Sequence, residues 1–433
     1  MTDSPKRQNQ ASRRRVLEIA AAAPLASLPM FNIARAAGSK IKIGYITALS
    51  GVRANFGEAD LWTLEKVKAA LKGGLKVGGK TYEVEIIAKD NQSDPNRSSA
   101  VSNDLILRDK VDLVLVQDGD AAAPAGQLCD VNGIPMLSTM MPWQAFTFGR
   151  GGTPDKGFPY SFHFFWGADD LMKTFFGMWN SVKTNKVLGE FFVDNPAGAS
   201  FADAKFGMPA AAAANGYKQV NAGMFKIATD DFSNQVAAFK NGGAQVISGF
   251  AFANHFATFW KQAQQAGLKP EVVTMAAAFL FPSALSSLGA AGDGMSSEVW
   301  WTPAFPFKST ITGQSARELA DDWQKSTGKQ WTQPIGYGHA LWESGLAALK
   351  GAADPKDHKS VRDAIVNMNL ASIVGPINFK DSKIKSIAVT GMAGGQWRHT
   401  KGGKFPYELV IVNNTTAPEL PVQSELKLLS KLG

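Results

Sequence analysis

The sequence predicts an α/β protein of two lobes, each built around a parallel sheet. Three observations lead there. From residue 41 onwards, short apolar segments alternate with amphipathic or Ala-rich ones, the pattern of strands covered by helices on both faces. The alternation pauses in the Gly- and Pro-rich tract Phe148–Tyr160 and then starts again. After about Val299 the order changes to helices followed by strands, as expected of a chain that returns to both lobes. A length of 433 residues suits two domains.

The elements follow in order. Ile41–Ile46 is an apolar strand that runs into the loop Leu49-Ser50-Gly51, and a helix is expected from about Gly57 to Leu71. The pairs Gly73-Gly74 and Gly78-Gly79 flank a turn before the strand Tyr82–Ile87. Asp94-Pro95 opens a helix to about Asp109, because Asp is a good N-cap and Pro suits the first turn. Val111–Val116 is a strand, Pro124 begins a short helix, and Ile134–Ser138 is a strand. In the second round Val187–Val193, Tyr217–Phe225, Ala244–Ser248 and Val272–Met275 read as strands. Ser200–Ala214, Phe232–Lys240 and His255–Ala266 read as helices between and after them. Helices are then expected over Thr312–Thr327, Ile335–Lys350 and Lys359–Met368, and strands over Gly375–Phe379, Ser386–Met392 and Tyr407–Val412.

The first 36 residues read as an address. Ser12-Arg13-Arg14-Arg15-Val16-Leu17-Glu18 resembles a twin-arginine export signal. An uncharged run, Ile19–Ala34, follows, and Ala34-Arg35-Ala36 offers a small-x-small cleavage site. The run is too short, and too interrupted by proline, for a membrane anchor. With no Cys nearby, a lipid anchor at that site is excluded. The expectation is a twin-arginine signal peptide over residues 1–36 and a soluble mature protein in the periplasm.

Charge and cysteine content exclude several function classes. Six basic and two acidic side chains fall in the first 36 residues, leaving 39 basic against 35 acidic of the 45 and 37 in the whole chain. That mild excess is no nucleic-acid footprint. One Cys and five scattered His give neither a disulfide framework nor a metal cluster, so no metal is expected. The nucleophile elbow, the phosphate loop, the dinucleotide fingerprint and the metalloprotease His-Glu-x-x-His are all absent, and no cofactor and no enzyme activity are expected. Gly149–Gly157 looks phosphate-friendly, but no strand leads into it. Cys129 reads as a buried structural thiol.

Asp118 and Asp120 follow a buried strand, on one face by alternation. They can share a proton, hold a cation, or simply cap the next helix. Eleven Trp and 27 Phe are many for this length. Most belong to the core. Aromatics on loops after strands are candidates for a ligand cleft, because such clefts are largely apolar with a few placed polar groups.

The residues resemble the periplasmic solute-binding proteins of branched-chain-amino-acid-type transporters, over essentially the whole mature chain. The resemblance is carried by Ile41-Lys42-Ile43-Gly44 with Leu49-Ser50-Gly51, Phe56-Gly57, Asp90 and Asp94-Pro95. Asn132-Gly133-Ile134-Pro135, Ala263–Gly267, Gly292-Asp293-Gly294-Met295 and Gly375–Phe379 continue it. It implies the type I periplasmic binding fold: two Rossmann-like lobes with parallel central sheets joined by a three-segment hinge. The expected lobes are 37–165 plus 297–372 and 166–296 plus 373–433. The expected crossings lie near Phe165–Ala168, Gly294–Val299 and Ser372–Gly375.

The resemblance also implies where a solute would sit. The Ser that helps hold an amino-acid carboxylate falls at Gly119, beside Asp120, and the Thr with the same task falls at Pro142, after Met140-Met141. The acid that pairs an α-ammonium falls at Ala277. The aromatic contacts match at Phe56 and Phe252, and Ser200 and Phe201 occupy another second-lobe contact. An unpaired buried ammonium is costly, so this set disfavours an ordinary α-amino acid. Met140, Met141, Phe56, Phe252 and Phe279 would make an apolar pocket, with Asp118 or Asp120 accepting a hydrogen bond from the solute. The expectation is a monomeric receptor that closes on a small, largely apolar or aromatic solute and delivers it to the membrane permease of an ABC transporter, with no nucleic-acid partner. A branched-chain amino-acid receptor, a sensor of the same fold and an exported enzyme are the rivals.

Overall fold

A computed structural model describes residues 40–432. The expected export segment lies outside the described residues. The first run of strands is β1 (Ile41–Thr47), the short pair β2 (Leu75–Val77) and β3 (Lys80–Tyr82), then β4 (Val84–Asp90), β5 (Leu113–Val116), β6 (Met136–Ser138) and β7 (Ser161–Phe164). The second run is β8 (Val187–Phe192), β9 (Lys218–Asn221), β10 (Val246–Phe250), β11 (Val272–Ala276) and β12 (Ser296–Val299). The last strands are the hairpin β13 (Asn369–Ser372) and β14 (Gly375–Asn378), then β15 (Ile387–Ala388), β16 (Ala393–His399) and β17 (Tyr407–Asn413).

Two sheets result. The first has the order β15-β7-β6-β5-β1-β4 and is parallel throughout. The second has the order β17-β16-β12-β11-β10-β8-β9; its five sequential strands are parallel, and β16 and β17 add an antiparallel edge.

Fourteen α-helices connect these strands among the described residues. They are α1 (Ala54–Gly57), α2 (Asp60–Ala70), α3 (Pro95–Asn103), α4 (Gly119–Asn132), α5 (Trp143–Phe148), α6 (Ala168–Asn180) and α7 (Pro196–Phe201). The rest are α8 (Met208–Ala214), α9 (Ser233–Gly242), α10 (Ala253–Gln265), α11 (Pro282–Ser287), α12 (Ala316–Thr327), α13 (Pro334–Gly351) and α14 (His358–Val366). Strand β5 shows why both faces of the first sheet are covered. Its Leu113 and Leu115 join the core on the α13 side, while Val114 and Val116 join the cluster with Ala121, Ala125 and Cys129 of α4. With alternate side chains facing opposite ways, four apolar residues in a row bury on two sides. Helix α13 is buried along nearly its whole length, as its apolar sequence requires.

The sequence boundaries shift where local chemistry intervenes. The helix expected over 57–71 is two pieces, and α2 opens on the buried Asp60, whose carboxylate accepts from the Thr47 hydroxyl. Burial pushes that carboxyl up to about 7. The Gly78-Gly79 pair does not flank a turn; it is the turn, with φ of 53° and 80° between β2 and β3. The Asp94 cap is present, its carboxylate accepting from Arg97 N at 2.7 Å. Helix α4 begins at Gly119, five residues before Pro124. The Ala-rich helix over 200–214 is interrupted between Phe201 and Met208. In the 148–160 tract Arg150 is not free for phosphate. It is buried between the rings of Phe146 and Phe158 and pairs with Asp130 at 2.5 Å. Cys129 is fully buried, and burial raises its thiol.

The crossings between sheets are partly as expected. Phe164 ends the first sheet, and α6, opening at Ala168, packs on β12, β16 and β17 of the second, so the first crossing matches Phe165–Ala168. The second falls later than expected, because Ser296–Val299 is itself a strand of the second sheet. The third also falls later than Ser372–Gly375. The β13–β14 hairpin packs on α13, and β15 pairs in parallel with His163 and Phe164, so the chain leaves the first sheet only between Ala388 and Ala393.

Candidate functional site

In open parallel sheets, ligands bind beyond the carboxyl ends of the strands. Here the loops after β1, β5 and β6 and those after β10, β11 and β12 occupy that position, and aromatic rings bridge the two sets. Phe56, half-buried at the end of α1, meets the edge of Phe281 at 5.1 Å and lies nearly parallel to Trp300 at 6.2 Å between centroids. Trp300 in turn meets Phe165 at 5.2 Å, and Phe165 meets Trp166 at 4.7 Å. Phe165 and Trp166 lie on the first crossing and Trp300 follows β12, so one aromatic wall joins a lip of the first sheet to the segments between the sheets.

Two of the residues with left-handed backbone lie in the loops after β6 and β11. Met140 after β6 and Ala277 after β11 have φ of 63° and 65°, values that side chains avoid. Each is held by its surroundings. The Met140 sulfur takes the Gln117 amide N–H at 3.5 Å, and the Ala277 N–H donates to Glu298 Oε1 at 3.1 Å.

The carboxylates are arranged differently from the sequence expectation. Asp118 is fully buried and already satisfied. Arg53 Nε donates to its Oδ1 at 2.6 Å and Asn91 Nδ2 to its Oδ2 at 2.6 Å. Both of its oxygens are thus engaged within the protein, one of them by Arg53. Asp120 stays exposed, 3.4 Å from Arg53 Nε. Arg53 also lies over the Phe56 ring, 4.5 Å from its centroid. No signal in the sequence singled out Arg53; only the fold brings it 65 residues back along the chain to Asp118.

The three positions that lack an amino-acid contact have physical explanations. At Gly119 a Cβ would lie 2.4 Å from the Met140 carbonyl oxygen and 2.9 Å from the Met141 Cβ, so no hydroxyl-bearing side chain fits. Pro142 sits at the N-cap position of α5 without a side-chain hydrogen bond. Ala277 carries no acid, but Glu298 places one beside its backbone. Glu298 is almost fully buried, with Ser297 Oγ at 2.7 Å from Oε2, and burial raises its carboxyl and favours the neutral form.

The remaining candidates divide. Phe252, half-buried at the N-cap of α10, joins Phe250 at 5.9 Å, and Phe201 stacks on Phe250 at 5.2 Å, so these rings form the corresponding corner of the second sheet. Ser200 is exposed on α7. Met141 is half-buried, and its carbonyl accepts from His163 Nε2 at 2.8 Å. Phe279 is almost fully buried. Its ring packs edge-on against Phe256 at 4.6 Å in the core, and the residue two places on, Phe281, makes the bridging contact instead.

Comparison with known proteins agrees with this fold. A family described as periplasmic binding proteins matches residues 40–404. A substrate-binding protein of an ABC transporter from Sphaerobacter thermophilus superposes with a TM-score of 0.70 at 18% identity, covering 87% of this chain and 97% of that one. A solute-binding protein from R. palustris, in complex with 4-hydroxybenzoate, gives 0.69 at 18% identity over 88% and 98%. A leucine-binding protein from Thermotoga maritima gives 0.66 at 16% over 87% and 99%.

Proposed function

Because the chain belongs to the periplasmic binding protein family, whose members bind solutes without chemistry, we propose that it serves an ABC importer as the receptor for a small aromatic or largely apolar organic solute. The observation that carries this reading is the aromatic bridge of Phe56 with Phe281 and Trp300, set beside a Gly119 that has no room for a side chain. Aromatic rings offer flat apolar faces for a planar solute to pack against. Asp120 accepts a hydrogen bond from it, and Met140, Phe252 and Phe201 extend the apolar wall. The two lobes hinge at the crossings and close on the solute, and the closed form engages the permease. Closure is driven by the solute's preference for the closed state. Among structurally similar proteins, one holds 4-hydroxybenzoate and another 3,4-dihydroxybenzoic acid, which supports an aromatic solute in this fold. The mature chain, from residue 37, works as a monomer in the periplasm after twin-arginine export.

A thermal-shift panel tests this reading. Residues 37–433 would be heated with benzoates, aromatic amides and alcohols in one arm, and with leucine, isoleucine and valine in the other. A solute present at about 100 times its Kd stabilises by about 2.7 kcal/mol. A shift confined to the aromatic arm supports the reading, and a shift confined to the amino acids overturns it.

A further inference from the structure

Buried polar atoms with no partner mark where a ligand's polar ends belong. Three of them lie in the aromatic bridge: the indole N–H groups of Trp166 and Trp300 and the amide oxygen of Gln117. Trp166 and Trp300 are 4% and 2% exposed and Gln117 is fully buried. All three belong to one cluster. Phe165 touches both indole rings, Trp300 stacks on Phe56, and Gln117 Nε2 donates to the Phe56 carbonyl at 2.6 Å. That last bond fixes the amide's orientation, because a carbonyl can only accept. The Gln117 oxygen is therefore an acceptor without a donor, and the two indoles are donors without an acceptor. Beside them Arg53 engages Asp118 through Nε alone, and among the described residues its terminal nitrogens make no hydrogen bond. The cluster thus holds two neutral donors, a forked cation and a single acceptor.

Resting on the reading of the cleft as a solute site, we propose that its solute is a planar organic acid. The carboxylate is received by Arg53 and the indole N–H groups of Trp166 and Trp300, and a hydroxyl or amine elsewhere on the ring donates to Gln117. A guanidinium fork matches a carboxylate, and charge-assisted bonds are stronger than neutral ones. This also explains why a buried Asp118 is kept here: it orients Arg53 while leaving the outer nitrogens to the solute.

Calorimetric titration of residues 37–433 tests the proposal with three probes: 4-hydroxybenzoate, benzoate and 4-hydroxybenzamide. The expected order is 4-hydroxybenzoate first, with benzoate about 10-fold weaker for want of the donor to Gln117, and the uncharged amide weaker by at least 10-fold. Trp166→Phe and Trp300→Phe keep an aromatic ring and remove the donor together with part of the indole's volume. Each is expected to weaken 4-hydroxybenzoate about 10-fold and to leave the amide less affected. Equal binding of acid and amide by the wild-type protein overturns the proposal while the aromatic-solute reading stands, and this arm holds even if a Trp variant fails to fold. Unchanged affinity in both Trp variants also overturns it. Binding of leucine in place of all three probes overturns the reading and the proposal together.

Discussion

Gly119→Ser would restore, on paper, the hydroxyl that an amino-acid site uses. The structure expects it to do harm instead. The new Cβ would stand 2.4 Å from the Met140 carbonyl oxygen and 2.9 Å from the Met141 Cβ. The obstacle is backbone, and it is pinned. Thr139 Oγ1 donates to the Phe164 carbonyl at 2.8 Å, His163 Nε2 to the Met141 carbonyl at 2.8 Å, and Gln117 holds the Met140 sulfur. Relieving the contact means moving a strained residue by most of an ångström. Overpacking a rigid site costs about 1–3 kcal/mol, and a backbone clash belongs at the upper end. With an unfolding entropy of about 2 cal/mol/K per residue, about 3 kcal/mol lowers the Tm of a chain this size by about 3–4 °C. Differential scanning calorimetry reads that shift, and titration with leucine reads the site. A variant as stable as wild type that gains leucine affinity would refute the argument that the position is filled rather than merely unsubstituted.

Three further predictions follow from the same geometry. Phe281→Ala should weaken aromatic-solute binding about 10-fold or more, whereas Phe279→Ala should cost about 3–5 kcal/mol of stability and leave the affinity of the folded protein nearly unchanged, as denaturant titration and calorimetry would separate. Asp118→Ala breaks a buried ion pair and should cost about 3 kcal/mol, while Asp120→Ala should leave stability within about 0.5 kcal/mol, weaken a neutral hydroxyl-bearing solute and strengthen an acid seated on Arg53; the reverse pattern would contradict the roles assigned to them. His163 is fully buried, stacked on Phe146 at 4.7 Å, and burial lowers its pKa to about 4. Below its ordinary value of about 6.5 the unfolded chain takes up a proton that the folded chain refuses, so this stability is intact above pH 6.5 and is lost as pH falls towards 4. The full loss is about 3 kcal/mol. Burial raises Asp60 and Glu343 to about 7, and their contribution runs the other way, falling as pH rises from about 4 to 7. The difference between wild type and His163→Gln across pH 4–7 isolates the histidine.

Much of the scaffold was legible in the sequence because it rests on local chemistry. Four apolar residues between polar flanks made β5 visible, and Asp94-Pro95 announced α3. Strands β12 and β16 were not legible. Ser-Ser-Glu-Val and a run opening Ala-Gly-Gly-Gln look like loops, and only neighbouring strands give their polar groups partners, as Ser296 finds Thr274 at 2.6 Å. The site followed the same division. Phe56, on the first loop, could be found by position. Arg53 could not, because its meaning comes from Asp118 and Phe56. Glu298 stayed hidden for a similar reason: it sits on a neighbouring strand, 21 residues from the Ala277 whose backbone it holds. A loop of successive aromatics does not say which ring turns towards which neighbour: Phe279 packs on Phe256, and Phe281 reaches Phe56.

The central claim is that an amino-acid-type scaffold here carries a cleft for planar aromatic solutes. The most direct measurement is a calorimetric titration of wild-type residues 37–433 with benzoate in one cell and leucine in another. The account predicts saturable, one-to-one binding of the aromatic acid and no heat of binding with leucine. Tight binding of leucine with none of the acid would contradict it.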